Sequence, residues 1–150
     1  MHLKTVPFEQ RNDYIDWLLL ADDSKNAVLS YLEDGDLYAV HTQGMIVGVV
    51  LLILLSKSTV ELKNIAVAAD FRGKGIGKAV IEEVVQMNAE KGFTSMVVGT
   101  ANSSIENLVF YQKAGFRMMS IKKDFFADYE PPVYENGIRA FDMVMFERKL

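Results

Sequence analysis

The chain has 150 residues, 50% of them hydrophobic, a formal net charge of -4 and no cysteine. That length and apolar content exclude a disordered chain and fit one domain, residues 1–150, with a substantial core. The acidic balance speaks against a general nucleic-acid binder, and the missing cysteines exclude disulfides, thiolate metal sites and a cysteine nucleophile.

His2 to Val6 reads as a short edge strand, bounded by Pro7. Asp13 to Leu20 is expected to be helical, capped by Asn12 or Asp13, with Ile15, Leu18 and Leu19 on one face. Ser24 to Leu32 is a second helix, ended by Gly35. Leu37 to His41 and Met45 to Leu55 form a hairpin around Thr42-Gln43-Gly44. Met45–Leu55 is too short to cross a bilayer and is read as a buried strand. Thr59 to Val67 alternates as a strand.

A helix follows from Ile76 to Lys91, with Ile76, Val80, Val84 and Met87 on one side. Thr94 to Thr100 is the next strand. Ser103 and Glu106 have the spacing of a capping box, opening a short helix that runs to Lys113 and closes at Gly115. Phe116 to Ile121 is a strand, Lys122 to Gly137 a long acidic and aromatic loop, and Ile138 to Glu147 the last strand. Nothing in Met1–Gln10 has the apolar core of a signal peptide. A cytoplasmic protein without membrane contact is the expectation. His2 and His41 are too few and too far apart for a metal site, so none is expected.

The stretch Arg72-Gly73-Lys74-Gly75-Ile76-Gly77-Lys78 stands out. Three glycines in five positions let backbone N–H groups approach an anion without a Cβ in the way. The helix that starts there points its unpaired amides and its positive dipole end at the same place. Such a turn suits phosphate or pyrophosphate. It is neither a P-loop, since Ala79 follows Lys78 where Ser or Thr is needed, nor a dinucleotide fingerprint, since Val80 stands where a third glycine belongs.

Asn64-Ile65-Ala66-Val67 followed by Arg72-Gly73-Lys74-Gly75-Ile76-Gly77 resembles the acetyl-CoA signature of the GCN5-related N-acetyltransferases (GNAT). Phe110-Tyr111-Gln112-Lys113-Ala114-Gly115-Phe116 is similar to the second signature of that family. The resemblance covers nearly the whole chain. It implies an α/β (α+β) three-layer fold: a mixed, mostly antiparallel sheet of about seven strands with about four flanking helices, splayed between the fourth and fifth strands.

It further implies acetyl transfer from acetyl-CoA to a primary amine, of a small molecule, a peptide N-terminus or a lysine, by direct attack. The pantetheine arm would pair with Ile65, Ala66 and Val67 like an added strand. Arg72, Gly73, Lys74, Gly75, Ile76, Gly77 and Lys78 would hold the pyrophosphate. Tyr111 would protonate the leaving thiolate. Glu61 occupies the strand position where some members carry a general base. Asn102 resembles the asparagine that precedes the second signature helix, with either a pantetheine contact or a turn role open to it; Asn107 either orients Tyr111 or faces solvent.

Acceptor choice in the family generally comes from the first two helices and the loop before the last strand, here Asp13–Glu33 and Lys122–Gly137. Asp124-Phe125-Phe126-Ala127-Asp128-Tyr129-Glu130 combines carboxylates and aromatics, a composition that could receive a cationic amine or merely cover the core as a solvated loop. A homodimer is expected from the family, and no nucleic-acid or membrane partner. The alternative to an enzyme is a non-catalytic acyl-CoA sensor or interaction module on the same fold.

Overall fold

A computed structural model describes residues 1–150. In chain order the strands are β1 (His2–Thr5), β2 (Asp36–Thr42), β3 (Met45–Leu54), β4 (Thr59–Val67), β5 (Ser95–Ala101), β6 (Arg117–Lys122), β7 (Tyr134–Glu135), β8 (Ile138–Arg139) and β9 (Met143–Lys149). The helices are α1 (Ile15–Leu18), α2 (Lys25–Tyr31), α3 (Ile76–Glu90) and α4 (Ile105–Lys113). Seven strands form one sheet in the order β1-β2-β3-β4-β5-β9-β6, while β7 and β8 make a separate small hairpin. Every neighbour pair in the large sheet is antiparallel except β4 with β5.

Two cores sandwich the sheet. On one face Val80, Ile81 and Val84 of α3 and Tyr111 of α4 pack on Val50, Leu52, Val60, Leu62, Val98 and Phe146. On the other, Leu18 of α1 and Val28 and Tyr31 of α2 cover Ala39, Val49, Leu51 and Ala66. The alternation of β4 serves both faces at once, with every second residue buried.

The β4–β5 pairing is short. Thr59, Val60 and Glu61 pair with Ser95, Met96 and Val97, and there the ladder stops. Beyond Glu61 the two strands diverge, so the β5-facing backbone of Leu62–Val67 has no strand partner. A bulge sharpens the divergence. Leu51 of β3 faces Asn64 while Leu52 faces Leu62, which leaves Lys63 as the extra residue.

Three expectations are corrected. Asp13–Leu20 is not one helix: Phe8–Tyr14 is a 3₁₀ segment and only Ile15–Leu18 is α-helical. Buried Arg11 holds that segment in tight turns by donating to the carbonyls of Leu32, Asp34 and Gly35 at 2.6–2.9 Å. The capping box of Ser103 and Glu106 does not form. Ser104 precedes α4 without a side-chain cap, and both serine hydroxyls donate instead to Glu135. The strand expected over Ile138–Glu147 is broken, because the N–H groups of Phe141 and Asp142 turn to the Asn102 side chain and leave the ladder.

Candidate active site

The glycine turn opens beside the mouth of the β4–β5 divergence. Gly73 and Gly75 adopt φ of +74° and +80°, and a β-carbon at either would meet nothing within 4 Å. Gly75 is the N-cap of α3, with no side chain capping the helix. As a result the backbone N–H groups of all six residues from Gly73 to Lys78 donate to no acceptor in the chain. Unpaired donors at a helix start, with room in front of them, make an anion cradle.

Gly77 has a different task. It is helical, and a β-carbon there would lie 3.2 Å from Cζ of Phe110. Its small size lets the start of α3 pack on α4. Arg72 folds its Nε back onto the carbonyl of Val67 at 2.8 Å, while its two terminal nitrogens make no bond within the chain. Lys74 lies with Nζ 5.3 Å from the Phe71 ring centre, and Lys78 is exposed.

Ile65, Ala66 and Val67 line the open edge of β4. Ile65 packs toward the α3/α4 core and Ala66 toward the α1/α2 core. Tyr111 is the one buried residue of α4, 6% exposed, with its ring against Phe110, Phe116 and Phe146. Its hydroxyl makes no hydrogen bond within the chain, yet it is not among the fully enclosed unpartnered atoms. Burial pushes its pKa up, which keeps the phenol protonated and able to donate.

Glu61 comes from the opposite face. It stands across from Ile53, which packs on the α1/α2 core, and directly paired residues share a face. It is half-buried and in neither of the molecule's two ion pairs. Glu61 and Tyr111 thus approach the divergence from opposite sides of the sheet, Glu61 at its apex.

Asn102 takes the turn role. Its Oδ1 accepts from the N–H groups of Phe141 and Asp142, and its Nδ2 donates to the Arg139 carbonyl at 3.1 Å. The side chain is committed to the β8–β9 connection and does not offer its amide to pantetheine, the contact that the resemblance had implied. Asn107, one turn before Tyr111, donates Nδ2 to Thr100 of β5 at 3.2 Å.

The α1/α2 face holds a second group of residues, to which the sequence alone assigned no individual role. Asn64 is 5% exposed and donates Nδ2 to the Leu18 carbonyl at 2.9 Å and to the Tyr31 hydroxyl at 3.0 Å. The Tyr31 hydroxyl in turn donates to Asp22 at 3.0 Å. Burial lifts the Tyr31 pKa, so this phenol too stays protonated. Lys63 places Nζ 5.2 Å from the Tyr31 ring centre.

Across the divergence, the loop before β7 brings up the facing wall. Partial desolvation, then the Glu135 and Asp22 carboxylates, raise the Asp23 pKa. Tyr129 is pushed up to about 12 by burial and by Asp22 and Asp23. A cavity of about 660 Å³ lies here, lined by Asp23–Asn26 on one side and Asp128–Val133 on the other. Both walls fall in the segments that the family resemblance implies for acceptor choice, Asp13–Glu33 and Lys122–Gly137; which residues of the two face each other is a tertiary fact.

The family model described as an acetyltransferase (GNAT) domain matches residues 33–118, from just after α2 to the start of β6. The chain belongs to the GNAT acetyltransferase family. It is 41% identical over 138 residues to the uncharacterized N-acetyltransferase YvbK of Bacillus subtilis strain 168, covering 91% of this chain and 89% of that protein. Among solved structures it is similar to the IAA acetyltransferase of Bacillus cereus ATCC 14579, with a TM-score of 0.90, 37% identity and 99% of each chain covered. A GNAT family acetyltransferase of Elizabethkingia anophelis with acetyl-CoA bound superposes with a TM-score of 0.88 at 37% identity, covering 99% of this chain and 97% of that one. A Bacillus subtilis acetyltransferase in complex with CoA gives 0.89 at 37% identity, covering 99% and 98%. The splay between the fourth and fifth strands is the expected GNAT feature. No group of three or more His, Asp or Glu is arranged to hold a metal ion. No helix is long and apolar enough to cross a membrane.

Proposed function

We propose that this GNAT protein transfers an acetyl group from acetyl-CoA to a primary amine by direct attack. The observation that carries the reading is the run of six unpaired N–H groups from Gly73 to Lys78 at the mouth of the β4–β5 divergence. It supports pyrophosphate at the turn and pantetheine along Ile65–Val67, as an added strand on an edge that lacks one. Acetyl-CoA and CoA in relatives at 37% identity support the same ligand.

In this reading the residues divide the work. Tyr111, protonated and without a partner, donates to the departing sulfur. Glu61 accepts a proton from the acceptor amine, directly or through water. The acceptor enters from the α1/α2 face, between the Asp22–Asp23 segment and the Tyr129 loop, where carboxylates that no cation neutralises favour an amine that arrives as a cation. The chain has no cysteine to carry an acyl group, which favours one direct step.

A homodimer belongs to the proposal. The edge strand β6 is exposed along its whole length, with Met118, Met119 and Ile121 facing outward. Sedimentation of the purified chain decides between one copy and two.

Calorimetric titration with acetyl-CoA, with ATP and NADH as controls, tests the reading. Selective acetyl-CoA binding followed by turnover on a panel of primary amines is the expected result. Binding without turnover on any amine would favour a sensor on the same fold. Absence of acetyl-CoA binding by folded protein would overturn both.

A further inference from the structure

The strand that frames the proposed acetyl-CoA site carries a nucleophile of its own. Lys63 is the one lysine on β4 or β5. It is the bulged residue of β4, two positions past the last β4–β5 pair at Glu61. In an alternating strand a bulge lets two successive residues share a side. Here that side is the α1/α2 face: Asn64 bonds Leu18 and Tyr31 there, and the Lys63 amine lies over the Tyr31 ring. Lys63 is half-buried and takes part in neither ion pair of the molecule, so no carboxylate holds its amine in place.

A length argument sets the thioester beside it. Between pyrophosphate and sulfur the pantetheine arm has about a dozen bonds, about four residues' worth of extended backbone. Laid along β4 and measured back from Val67, the last residue of the strand, whose carbonyl Arg72 at the start of the glycine turn holds at 2.8 Å, that distance ends at Lys63. The acetyl carbon then lies between Tyr111 on one side of the sheet and Glu61 and Lys63 on the other.

We propose that Lys63 is an acetyl acceptor in cis, modified when no substrate amine occupies the cleft. The inference rests on the acetyl-CoA reading given above. The Lys63 ammonium loses one proton to Glu61 or to water. Its neutral nitrogen forms the bond to the acetyl carbon as the carbon–sulfur bond breaks. The sulfur leaves with a proton from Tyr111, and the nitrogen sheds its second proton as the amide forms. The balance is one acetyl-CoA and one lysine ammonium giving acetyl-lysine, CoA thiol and one proton. Only a rotamer change of the lysine stem is needed to leave the Tyr31 ring, a fast motion for a side chain that no ion pair fixes. The product is neutral and bulkier. It loses the cation–π contact and narrows the channel by which an amine arrives, so the modified protein turns over more slowly.

The test uses the full chain with acetyl-CoA labelled in its acetyl group and no added amine. Digestion and mass spectrometry read the peptide that carries Lys63, and calorimetry on the same preparation reads acetyl-CoA binding. The expected result is one acetyl group on Lys63. Its fractional rate should be independent of protein concentration, suppressed by excess CoA, and competed by any amine that is a good acceptor. Lys63→Arg keeps the charge, should bind acetyl-CoA as the wild type does, and should lose the label. Bound acetyl-CoA with Lys63 unlabelled overturns the proposal. So does label spread at similar rates over the exposed Lys4, Lys57 and Lys113, which marks solution chemistry. No acetyl-CoA binding at all overturns the acetyl-CoA reading first, and this proposal with it.

Discussion

Gly77 sits under Phe110, so close that a β-carbon at position 77 would come within 3.2 Å of the ring edge. The relationship joins the two signature stretches of the chain. The helix that begins at the anion cradle is packed, at its first turn, on the helix that carries Tyr111. Gly75, two residues earlier, has open space around it and a left-handed backbone. Substitutions at the two glycines should therefore share a loss of binding and differ in what they do to packing.

Gly75→Glu is expected to abolish acetyl-CoA binding by filling the cradle with a like charge. Its stability cost is about 1–2 kcal/mol, from a left-handed backbone on a residue with a β-carbon. Gly77→Glu is expected to lose binding as well, and its cost of about 1–3 kcal/mol has another source, because the Phe110 ring edge must shift by a few tenths of an ångström. Denaturation midpoints and calorimetry on the two variants check this. A Gly75→Glu protein that still binds acetyl-CoA removes the turn as the phosphate site.

Tyr111→Phe should lower turnover far more than acetyl-CoA affinity. The ring keeps its three aromatic neighbours, and the hydroxyl has no bond within the chain to lose. Stability should change by no more than about 0.5 kcal/mol. Equal kinetics in the two proteins would remove Tyr111 as the proton donor.

Tyr31→Phe probes the buried chain from Asp22 through Tyr31 to Asn64. Removing the hydroxyl takes the donor from Asp22 and leaves the Asn64 Nδ2 with the Leu18 carbonyl alone. The Asn64 Oδ1 is already enclosed without a partner. A loss of about 1–3 kcal/mol is expected from a buried group left unsatisfied, read from urea unfolding. An unchanged midpoint would mean that water takes over both bonds.

The edge of the sheet should respond to acid. His2 and His41 are directly opposite in the β1–β2 pair, with stacked rings 5.3 Å apart. Desolvation, then Lys4 and His2, hold the His41 pKa below its ordinary 6.5. The unfolded chain therefore takes up the proton before the folded one does. The stability contribution of His41 is complete above 6.5, and it is lost as pH falls through that value toward the lower folded pKa. His41→Gln should flatten the dependence of the unfolding midpoint over about pH 5 to 8. A wild-type midpoint that rises as pH falls over this window would contradict the sign.

Much of this architecture is legible in local pattern. The alternation of Thr59–Val67 and the helical spacing of Ile76, Val80 and Val84 follow from the two side-chain periods of a polypeptide, and both elements are found where the pattern puts them. Ser24 caps α2 by accepting from the Ala27 N–H at 3.1 Å, as its residue type favours. Where local signals failed, a distant partner outbid them. Ser103 and Ser104 carried cap chemistry, but Glu135, some thirty positions away, offered a charged acceptor. Asn102 had the residue type of a ligand contact, yet backbone donors at Phe141 and Asp142 claimed it.

The sequence by itself determined the order of the elements from β2 to β6, the glycine-rich anion turn and the tyrosine four residues before Gly115, because each depends on neighbours within one or two turns of chain. Only the tertiary structure decided where the β4–β5 ladder ends, that Lys63 is bulged toward Tyr31, and which loop faces Asp22 and Asp23. Those depend on strand register and sheet twist, where a shift of one residue sends a side chain to the other face. No window of sequence contains both sides of such a choice.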